Sequence, residues 1–289
     1  MKIPIIIPSY QRSHIIISKT LNLLERLCYS QKDIFVVVED NEDVYNEYYD
    51  VISSMYPRVN VLVGDNSNGQ ASQINFIKTE ILMDKQLALI MDDDIDEILV
   101  AKDKKTLLPI TPEQFEVFLC IAPNLMREFN IGLCGVNSTG NPFYMGDKVR
   151  LCKSNICGGF QLFFNEPDLI LKSNQGNDSY TSCWYLDKFK DNLKFDFITI
   201  KTKLFTAGGF YEIRQDKERT NKEYKSVALE YPQYLDYYEW KEGEPTGIDS
   251  KGNIVKIPKS RQKNLTLELR WKKLPSITIR NKEDVFPFL

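Results

Sequence analysis

The sequence lacks the features that mark several common classes of protein. Its single histidine, His14, argues against a zinc site and against a serine-type triad that needs another histidine. No apolar run approaches the roughly 20 residues that a membrane-spanning helix needs. The short apolar run at residues 3–7 is followed by no small-residue cleavage site. These absences predict a soluble, cytoplasmic protein.

Cysteine is sparse and shows no metal-binding or redox spacing. The chain has six cysteines and no C-x-x-C pair. Because no secretion signal accompanies them, we expect reduced thiols, mostly in the core. They are Cys28, Cys120, Cys134, Cys152, Cys157 and Cys183.

Charge of one sign is concentrated at the C-terminus. The whole chain carries a net charge of −3, yet residues 251–289 hold ten basic and three acidic residues. An acidic body with a basic end favours a polyanionic partner, although a solvated surface segment is the plainer explanation.

Short apolar runs alternate with helical patterns through the first ninety residues. Such alternation predicts right-handed β-α-β units and a parallel sheet. The predicted strands are residues 3–7, 34–38, 61–63 and 87–91, and the predicted helices are residues 13–28 and 74–82.

The second half of the chain is less regular. Thr111, Pro112 and Gln114 predict the start of a helix that Pro123 should kink or end early. Further strands are predicted at residues 131–136, 160–164 and 195–200, and helices at 178–190 and 214–229. No repeat or low-complexity linker divides the chain.

Three consecutive acids, Asp92, Asp93 and Asp94, follow the fourth predicted strand. Burying three carboxylates together costs several kcal/mol each unless a cation compensates them. If the extended backbone continues, Asp92 and Asp94 point to the same side and can hold Mg²⁺ or Mn²⁺, which also coordinate diphosphate oxygens. The alternative is an acidic loop that caps the next helix, although a cap needs only one acid.

Polar residues also follow the other three strands, and ligands bind beyond the carboxyl ends of such sheets. Arg12 can reach a phosphate, and Glu39 or Asp40 can accept hydrogen bonds from a base or ribose. Gly69 allows close backbone approach at a helix N-terminus that favours anions. Each of these could also be a simple turn or cap. The candidate donor-binding residues are Pro8, Ser9, Tyr10, Arg12, Glu39, Asp40, Asn68, Gly69, Gln70, Asn75 and Asp93.

In order and spacing these motifs resemble GT-A-fold, family-2-like glycosyltransferases. The resemblance covers roughly residues 3–98 and extends less securely to residues 157–161 (CGGFQ) and 176–179 (GNDS). It implies that Gly158, Gly159 and Gln161 bind the acceptor and that Asp178 is the catalytic base. The family usually has Glu-Asp where this chain has Asn177-Asp178, so an inverting outcome does not follow.

Within that family the chain also looks like phage enzymes that glycosylate hydroxymethylated DNA bases, relatives of the TET/JBP-associated glycosyltransferases. The likeness lies in chain size, in the terse Asp-Asp-Asp-Ile segment and in residues 207–211 (AGGFY). It implies a DNA acceptor in the host-cell cytoplasm, with the basic tail on phosphates and Trp271 stacked on an extruded base.

The sequence therefore predicts an α/β protein with a GT-A (Rossmann-like), mainly parallel sheet flanked by helices. Residues 1–250 form the glycosyltransferase domain, with a nucleotide-sugar-binding half at 1–98 and an acceptor half at 99–250, and residues 251–289 form a basic C-terminal extension. The implied ligands are a UDP-sugar and Mn²⁺ or Mg²⁺. The alternatives are a glycosyltransferase of surface polysaccharide synthesis, a nucleotidyltransferase and a non-catalytic polyanion-binding module.

Overall fold

The structure is a computed structural model that describes residues 2–65, 67, 69–202, 216–259 and 267–287. Within these residues, eleven strands form one large sheet in the order β15-β8-β10-β7-β9-β4-β1-β2-β3, with β5 paired to β10 and β6 to β5. These strands are β1 (Ile5–Pro8), β2 (Ile34–Val38), β3 (Asn60–Val63), β4 (Leu87–Met91), β5 (Ile95–Ala101), β6 (Leu107–Pro109), β7 (Leu133–Asn137), β8 (Lys148–Cys152), β9 (Phe160–Phe164), β10 (Asn192–Thr202) and β15 (Ser276–Asn281).

The first four strands are parallel, as predicted from their alternation with helices. β1 pairs with β2 and β4, and β2 pairs with β3. Beyond β4 the sheet is mixed, because β9 runs antiparallel to both β4 and β7, whereas β7 and β10 are parallel. The carboxyl ends of β1 to β4 therefore meet at one edge.

The helices cover both faces of the large sheet. α1 is a continuous stretch made of Ser13–Ile16, the π-helical Ile17–Leu21 and Asn22–Arg26. α2 is Glu42–Met55, and α3 is Gln70–Phe76 continued by the π-helical Ile77–Ile81. The others are α4 (Pro112–Glu128), α5 (Asn177–Phe189), α6 (Lys217–Glu230) and α7 (Lys282–Val285).

Alternate side chains of each strand enter different cores, as the period of two in a strand requires. Ile5 and Ile7 pack with α1, α2 and α4 on one face, whereas Ile6 packs with α3, α5 and α6 on the other. All three isoleucines are fully buried. The result is a three-layer α/β/α arrangement, and the predicted fold class is confirmed. No helix within the described ranges is long and apolar enough to cross a membrane.

Pro123 does not end α4. The helix continues to Glu128, and Thr111 and Gln114 form the predicted capping box at its start. Proline inside a helix removes one backbone hydrogen bond. Pro123 is buried together with Ala122 and Leu125, so packing against the sheet holds the helix together through that gap.

A second sheet was missed by the sequence analysis. It contains β11 (Leu235–Trp240), β12 (Thr246–Asp249), β13 (Ile254–Lys256) and β14 (Leu267–Trp271), in the order β13-β12-β11-β14. The expected boundary at residue 250 falls inside it, between β12 and β13. After β14 the chain returns to the large sheet, where β15 pairs with β8 and Phe286 is buried against Phe197. The proposed C-terminal extension thus contributes to both sheets.

The six cysteines are free thiols. Cys134, Cys152 and Cys183 are buried as expected, but the expectation of a core position is wrong for Cys28 and Cys120, which are exposed.

The predicted helix at 214–229 is observed from Lys217 to Glu230. Residues 207–211, which carried part of the phage resemblance, lie outside the described residues.

A lysine is buried in the core on the α3 side. Lys78 is 2% exposed, and its ammonium lies 4.3 Å from the ring centroid of Phe163. Its Nζ has no hydrogen-bond partner among the described residues. Burial lowers the pKa of Lys78 to about 7, against the opposing influence of Glu166.

Replacing this lysine by methionine, Lys78→Met, is expected to raise the free energy of unfolding at pH 7 by about 1 kcal/mol, because an apolar side chain removes the cost of a buried charge. Between pH 7 and about 10.4 the unfolded chain binds more protons at this position than the folded chain, so wild-type stability gains from rising pH there. The advantage of the variant should therefore be largest below pH 7 and shrink towards pH 10. Urea unfolding across this range measures it.

The matched control is Lys85→Met, since Lys85 also contacts Glu166 but is 56% exposed. Glu166 raises the pKa of Lys85 through their hydrogen bond, so this variant should show no stabilisation. A Lys78→Met protein that is less stable than the wild type at pH 6 would contradict the account.

Candidate functional site

The polar residues that follow β1 and β4 meet at one edge of the large sheet. Ile5 pairs with Leu89 and Ile6 with Ile90, so the two strands end side by side. We call this edge the rim, defined by residues 8–12, 39–40, 64–65, 67, 69–70 and 92–94. The prediction that four strand ends share an edge is confirmed by the parallel pairing of β1 to β4.

The three acids of the rim form a turn between β4 and β5. The expectation that the extended backbone continues through them is wrong, because Asp93 and Asp94 lie in the turn. Thr20 of α1 bridges this turn: its hydroxyl donates to the carbonyl of Asp92 at 2.7 Å and accepts from the N–H of Ile95 at 3.0 Å. Asp92 and Asp94 stay partly exposed, whereas Asp93 is buried.

A chain of hydrogen bonds fixes the carboxylate of Asp93. The Ser9 hydroxyl donates to Asp93 Oδ2 at 2.6 Å. Since that uses its only proton, Tyr48 Oη donates to Ser9 Oγ at 2.8 Å, and the N–H of Arg12 donates to Tyr48 Oη at 2.6 Å. Burial raises the pKa of Tyr48 to about 12, so the phenol keeps the proton that it donates.

Burial is also the main influence on the pKa values of Asp93 and Asp94. It raises the pKa of Asp93 to about 6, although the Ser9 hydrogen bond and the Arg12 charge act in the other direction. Burial raises the pKa of Asp94 as well, again against Arg12. Arg12 Nη1 lies 3.4 Å from Asp93 Oδ1 and 3.6 Å from Asp94 Oδ2. The guanidinium therefore offsets the repulsion between these two carboxylates.

Beside β1 and β2, the rim carries the other residues that the sequence predicts to contact a nucleotide. Pro8 ends β1, and Tyr10 follows it as a partly exposed side chain. Glu39 and Asp40 directly follow β2, with Asp40 exposed, and Asn41 caps α2. The structure brings these residues to the same edge as the acid turn. Their contacts with a nucleotide stay predictions.

The glycine predicted to approach a ligand lies at the start of α3. Gly69 has φ +76°, a conformation that side chains rarely adopt, and Gln70 opens the helix. Asn68 lies outside the described residues. Asn75 uses its side-chain amide on the backbone of Leu171, accepting at 2.8 Å and donating at 3.0 Å. Its observed role is to join α3 to a neighbouring loop, and its donor role stays a prediction.

On the other side of β4 from β1 to β3, the acid turn lies next to Gly158 and Gly159. The N–H of Asp92 donates to the carbonyl of Gly159 at 3.1 Å. A methyl group on Gly159 would lie 2.5 Å from Asp92 Oδ2, so a larger residue there would push the Asp92 carboxylate aside. A methyl group on Gly158 would lie 3.2 Å from Asp178 Cβ. The two glycines thus separate the acid turn from Asp178.

Asp178 lies in the first turn of α5 with both oxygens bound. Asn155 Nδ2 donates to Oδ2 at 2.8 Å, and the N–H of Ser179 donates to Oδ1 at 2.8 Å. Trp271 of β14 reaches the same place, because its Nε1 donates to Ser179 Oγ at 3.4 Å. The tryptophan of the basic segment therefore lies next to the proposed base. Gln161 of β9 is 8% exposed, and its Nε2 donates a hydrogen bond to the carbonyl of Ile156 at 3.4 Å.

A thiol lies between the two acidic groups. Burial raises the pKa of Cys157 to about 11, with smaller contributions from the charges of Asp92 and Asp178. Burial therefore favours the protonated form of this thiol. Sequence reasoning did not single out Cys157 as a site residue, although it begins the motif at residues 157–161. It also missed the supporting Thr20, Tyr48 and Asn155, because these three come from segments without a recognisable motif.

The acid turn fits a divalent cation that shares a substrate. Within the described parts of the chain, no group of three or more His, Cys, Asp or Glu side chains is arranged to enclose a metal ion. Mg²⁺ usually takes one or two carboxylates, with substrate phosphates and water as the other ligands. Asp92 and Asp94 are two partly exposed carboxylates on one turn, which is the number that such a shared site needs.

The order of the large sheet and the helices on both of its faces match the GT-A fold. The structure resembles the mannosyltransferase PcManGT of Pyrobaculum calidifontis, solved with GDP-Man and Mn²⁺, with a TM-score of 0.54 and 12% identity over 78% of this chain and 64% of that chain. It also resembles S. aureus TarS 1-349, solved with UDP-GlcNAc, with a TM-score of 0.54 and 14% identity over 80% of this chain and 66% of that chain.

A third similar structure matches over most of both chains. It is the glucosyl-3-phosphoglycerate synthase of Mycobacterium tuberculosis in complex with Mn²⁺, UDP and glucosyl-3-phosphoglycerate, with a TM-score of 0.50 and 8% identity over 89% of this chain and 87% of that chain. The chain spans slightly less than two thirds of the length of the first two proteins. No protein-family pattern and no curated protein sequence matches it.

Proposed function

We propose that the protein is a metal-dependent glycosyltransferase that moves a sugar from a UDP-sugar to a hydroxyl group of a modified base in phage DNA. The proposed transferase activity rests mainly on one observation at the rim: the acid turn and Asp178 lie on either side of Gly158 and Gly159. This arrangement leaves a donor side and an acceptor side around one reaction point. The similar structures solved with GDP-Man, UDP-GlcNAc or UDP support the same class of donor.

Each side of the rim has its own task in this proposal. Asp40 and the end of β1 hold the nucleoside. Asp92 and Asp94 would hold Mn²⁺ or Mg²⁺, which would supply positive charge to the leaving diphosphate. Asp93, fixed by Ser9 and Arg12, keeps the turn in shape.

The chemical step follows from the acceptor side. Asp178 takes the proton of the acceptor hydroxyl, whose oxygen forms a bond to the anomeric carbon while the bond from that carbon to the diphosphate oxygen breaks. If the enzyme is retaining, Asp178 instead orients the acceptor.

The DNA acceptor is supported by the basic segment and by Trp271. This side chain comes from the segment with ten basic and three acidic residues, and it hydrogen-bonds to Ser179, the neighbour of Asp178. Cations that neutralise phosphates and an aromatic ring beside the base suit a nucleotide flipped out of its strand. Hydroxymethylcytosine and its glucosylated form are the proposed acceptor bases.

The test is sugar transfer from a panel of radiolabelled UDP-sugars, with Mn²⁺ or Mg²⁺, to DNA that contains hydroxymethylcytosine, glucosylated hydroxymethylcytosine or hydroxymethyluracil. We expect label in one of these DNAs and its loss when EDTA is added. Donor hydrolysis with no label in any DNA would move the acceptor to a saccharide. Absence of turnover with every donor would overturn the proposed class of enzyme.

A further inference from the structure

Two large aromatic side chains lie exposed on the loop between β7 and β8. Phe143 is 65% exposed and Tyr144 is 72% exposed. Their rings contact each other edge to face with centroids 5.2 Å apart. Aromatic rings of this size usually bury their area in a core or an interface, so an adjacent exposed pair indicates a surface that another molecule covers.

The loop that carries this pair is fixed at both ends. At its start, Asn137 Nδ2 donates to the carbonyl of Asp196 at 3.1 Å. At its end, Met145 is 1% exposed in the core, and its carbonyl accepts a hydrogen bond from Lys104. Between them, the N–H of Phe143 donates to Asn141 Oδ1 at 3.0 Å. The two rings are therefore presented by an anchored turn.

The register of the sheet places this loop at the rim. Ile90 of β4 and Gly135 of β7 both pair with Gln161 of β9. Since β4 and β7 run in the same direction, Asp92 and Asn137 leave the sheet at the same height, two strand spacings or about 10 Å apart. The loop begins on the acceptor side, because β1 to β3 lie on the other side of β4.

The surroundings of the aromatic pair are basic. The hairpin between β5 and β6 contacts Met145 through Lys104, and Lys148 begins β8. The backbone N–H of Lys282 donates to the carbonyl of Asp147, and its ammonium donates to the carbonyl of Ala101. These neighbouring segments carry six cations and four acids. The cations are Lys102, Lys104, Lys105, Lys148, Arg280 and Lys282, and the acids are Asp103, Asp147, Glu283 and Asp284.

We propose that Phe143 and Tyr144 form a stacking platform for bases of single-stranded or locally opened nucleic acid next to the base that is glycosylated. Exposed aromatic rings within a positively charged surface are the combination that binds single strands, since rings stack on bases and cations attract phosphates. A neutral saccharide would gain nothing from the cations. The proposal rests on the proposed function for the identity of the reacting base, but strand binding itself is measurable without transfer.

The test compares the double variant Phe143→Ala/Tyr144→Ala with the wild type in fluorescence anisotropy titrations of a labelled oligothymidylate. Loss of both rings is expected to weaken binding about 10-fold or more and to leave its dependence on salt concentration unchanged, since the phosphate contacts remain. The exchanged pair Phe143→Tyr/Tyr144→Phe should retain wild-type affinity. The matched control is Tyr49→Ala, because Tyr49 of α2 is also 50% exposed but lies on the donor half.

Two further readouts separate this inference from the proposed function. Metal-dependent hydrolysis of the UDP-sugar should be unchanged in the double variant, and failure of all donor turnover would count against the transferase and not against strand binding. Oligothymidylate affinity that is equal in the double variant and the wild type, or absent in both, would overturn the platform. Dissociation of a dimer by the double variant in size-exclusion chromatography would overturn it too, by assigning the rings to a contact between copies.

Discussion

Sugar transfer is expected to fall at least about 100-fold when either exposed acid of the turn is neutralised, in Asp92→Asn or Asp94→Asn. Two carboxylates are few ligands for a divalent cation, so loss of either should weaken metal binding strongly, and with it the positive charge that would stabilise the departing diphosphate. The loss should appear in donor hydrolysis as well as in transfer, because both break the same bond. Initial rates at several Mn²⁺ concentrations measure the effect, and the variants should need more metal for half-maximal rate.

Asp96→Asn is the matched control. Asp96 belongs to the same acidic run, but its side chain pairs with Lys19 and is 26% exposed. Removal of such a partly exposed ion pair costs about 1 kcal/mol or less of stability and should leave the rate close to that of the wild type. Equal rates for the Asp94→Asn and Asp96→Asn enzymes would show that the turn does not hold the metal.

The second large effect is expected at Asp178. Asp178→Asn keeps one oxygen, which can still accept from the N–H of Ser179, and places an NH2 group where Oδ2 accepted from Asn155, so the side chain keeps its size and one hydrogen bond while the proton acceptor is lost. General-base catalysis contributes about 100- to 10,000-fold, and transfer should fall within that range. Affinity for UDP in the presence of Mn²⁺, measured by calorimetry, should remain that of the wild type.

The control for this change lies on the same helix. Asp187 is exposed near the end of α5 and accepts from Gln233 at 2.9 Å, so Asp187→Asn should transfer sugar normally. Sugar transfer by the Asp178→Asn enzyme at the wild-type rate would show that Asp178 is not the catalytic base. NMR of the product would then show whether the anomeric configuration of the donor sugar is retained, as expected if Asp178 orients the acceptor and is not the base.

Most strands and helices of residues 1–98 could be predicted from the sequence because local signals agreed with each other. Continuous β-branched runs between helical patterns define a parallel sheet, and the observed strand β4, Leu87–Met91, has the predicted bounds. The capping box at Thr111 was readable for the same reason, since it depends on residues three apart. Pro123 shows the limit of local signals, because a helix that packs well outweighs one missing hydrogen bond.

The smaller sheet could not be read in this way. Its strands are three to six residues long, and they pair through turns and through residues far apart in the chain. Trp271 illustrates the consequence. Its sequence neighbours indicate only a basic tail, whereas its position beside Ser179 depends on the packing of β14 against α6 and β11.

The sequence by itself determined which strands end in polar groups and that three adjacent acids follow β4, because these are properties of neighbouring residues. Only the tertiary structure decided what each acid does. Asp93 is turned inward to Ser9, and Arg12 lies against the turn. Gly159 contacts Asp92, and Asn155 donates a hydrogen bond to Asp178. These contacts join residues up to 84 positions apart, and such distances are closed by the packing of the sheet and helices, which no local pattern records.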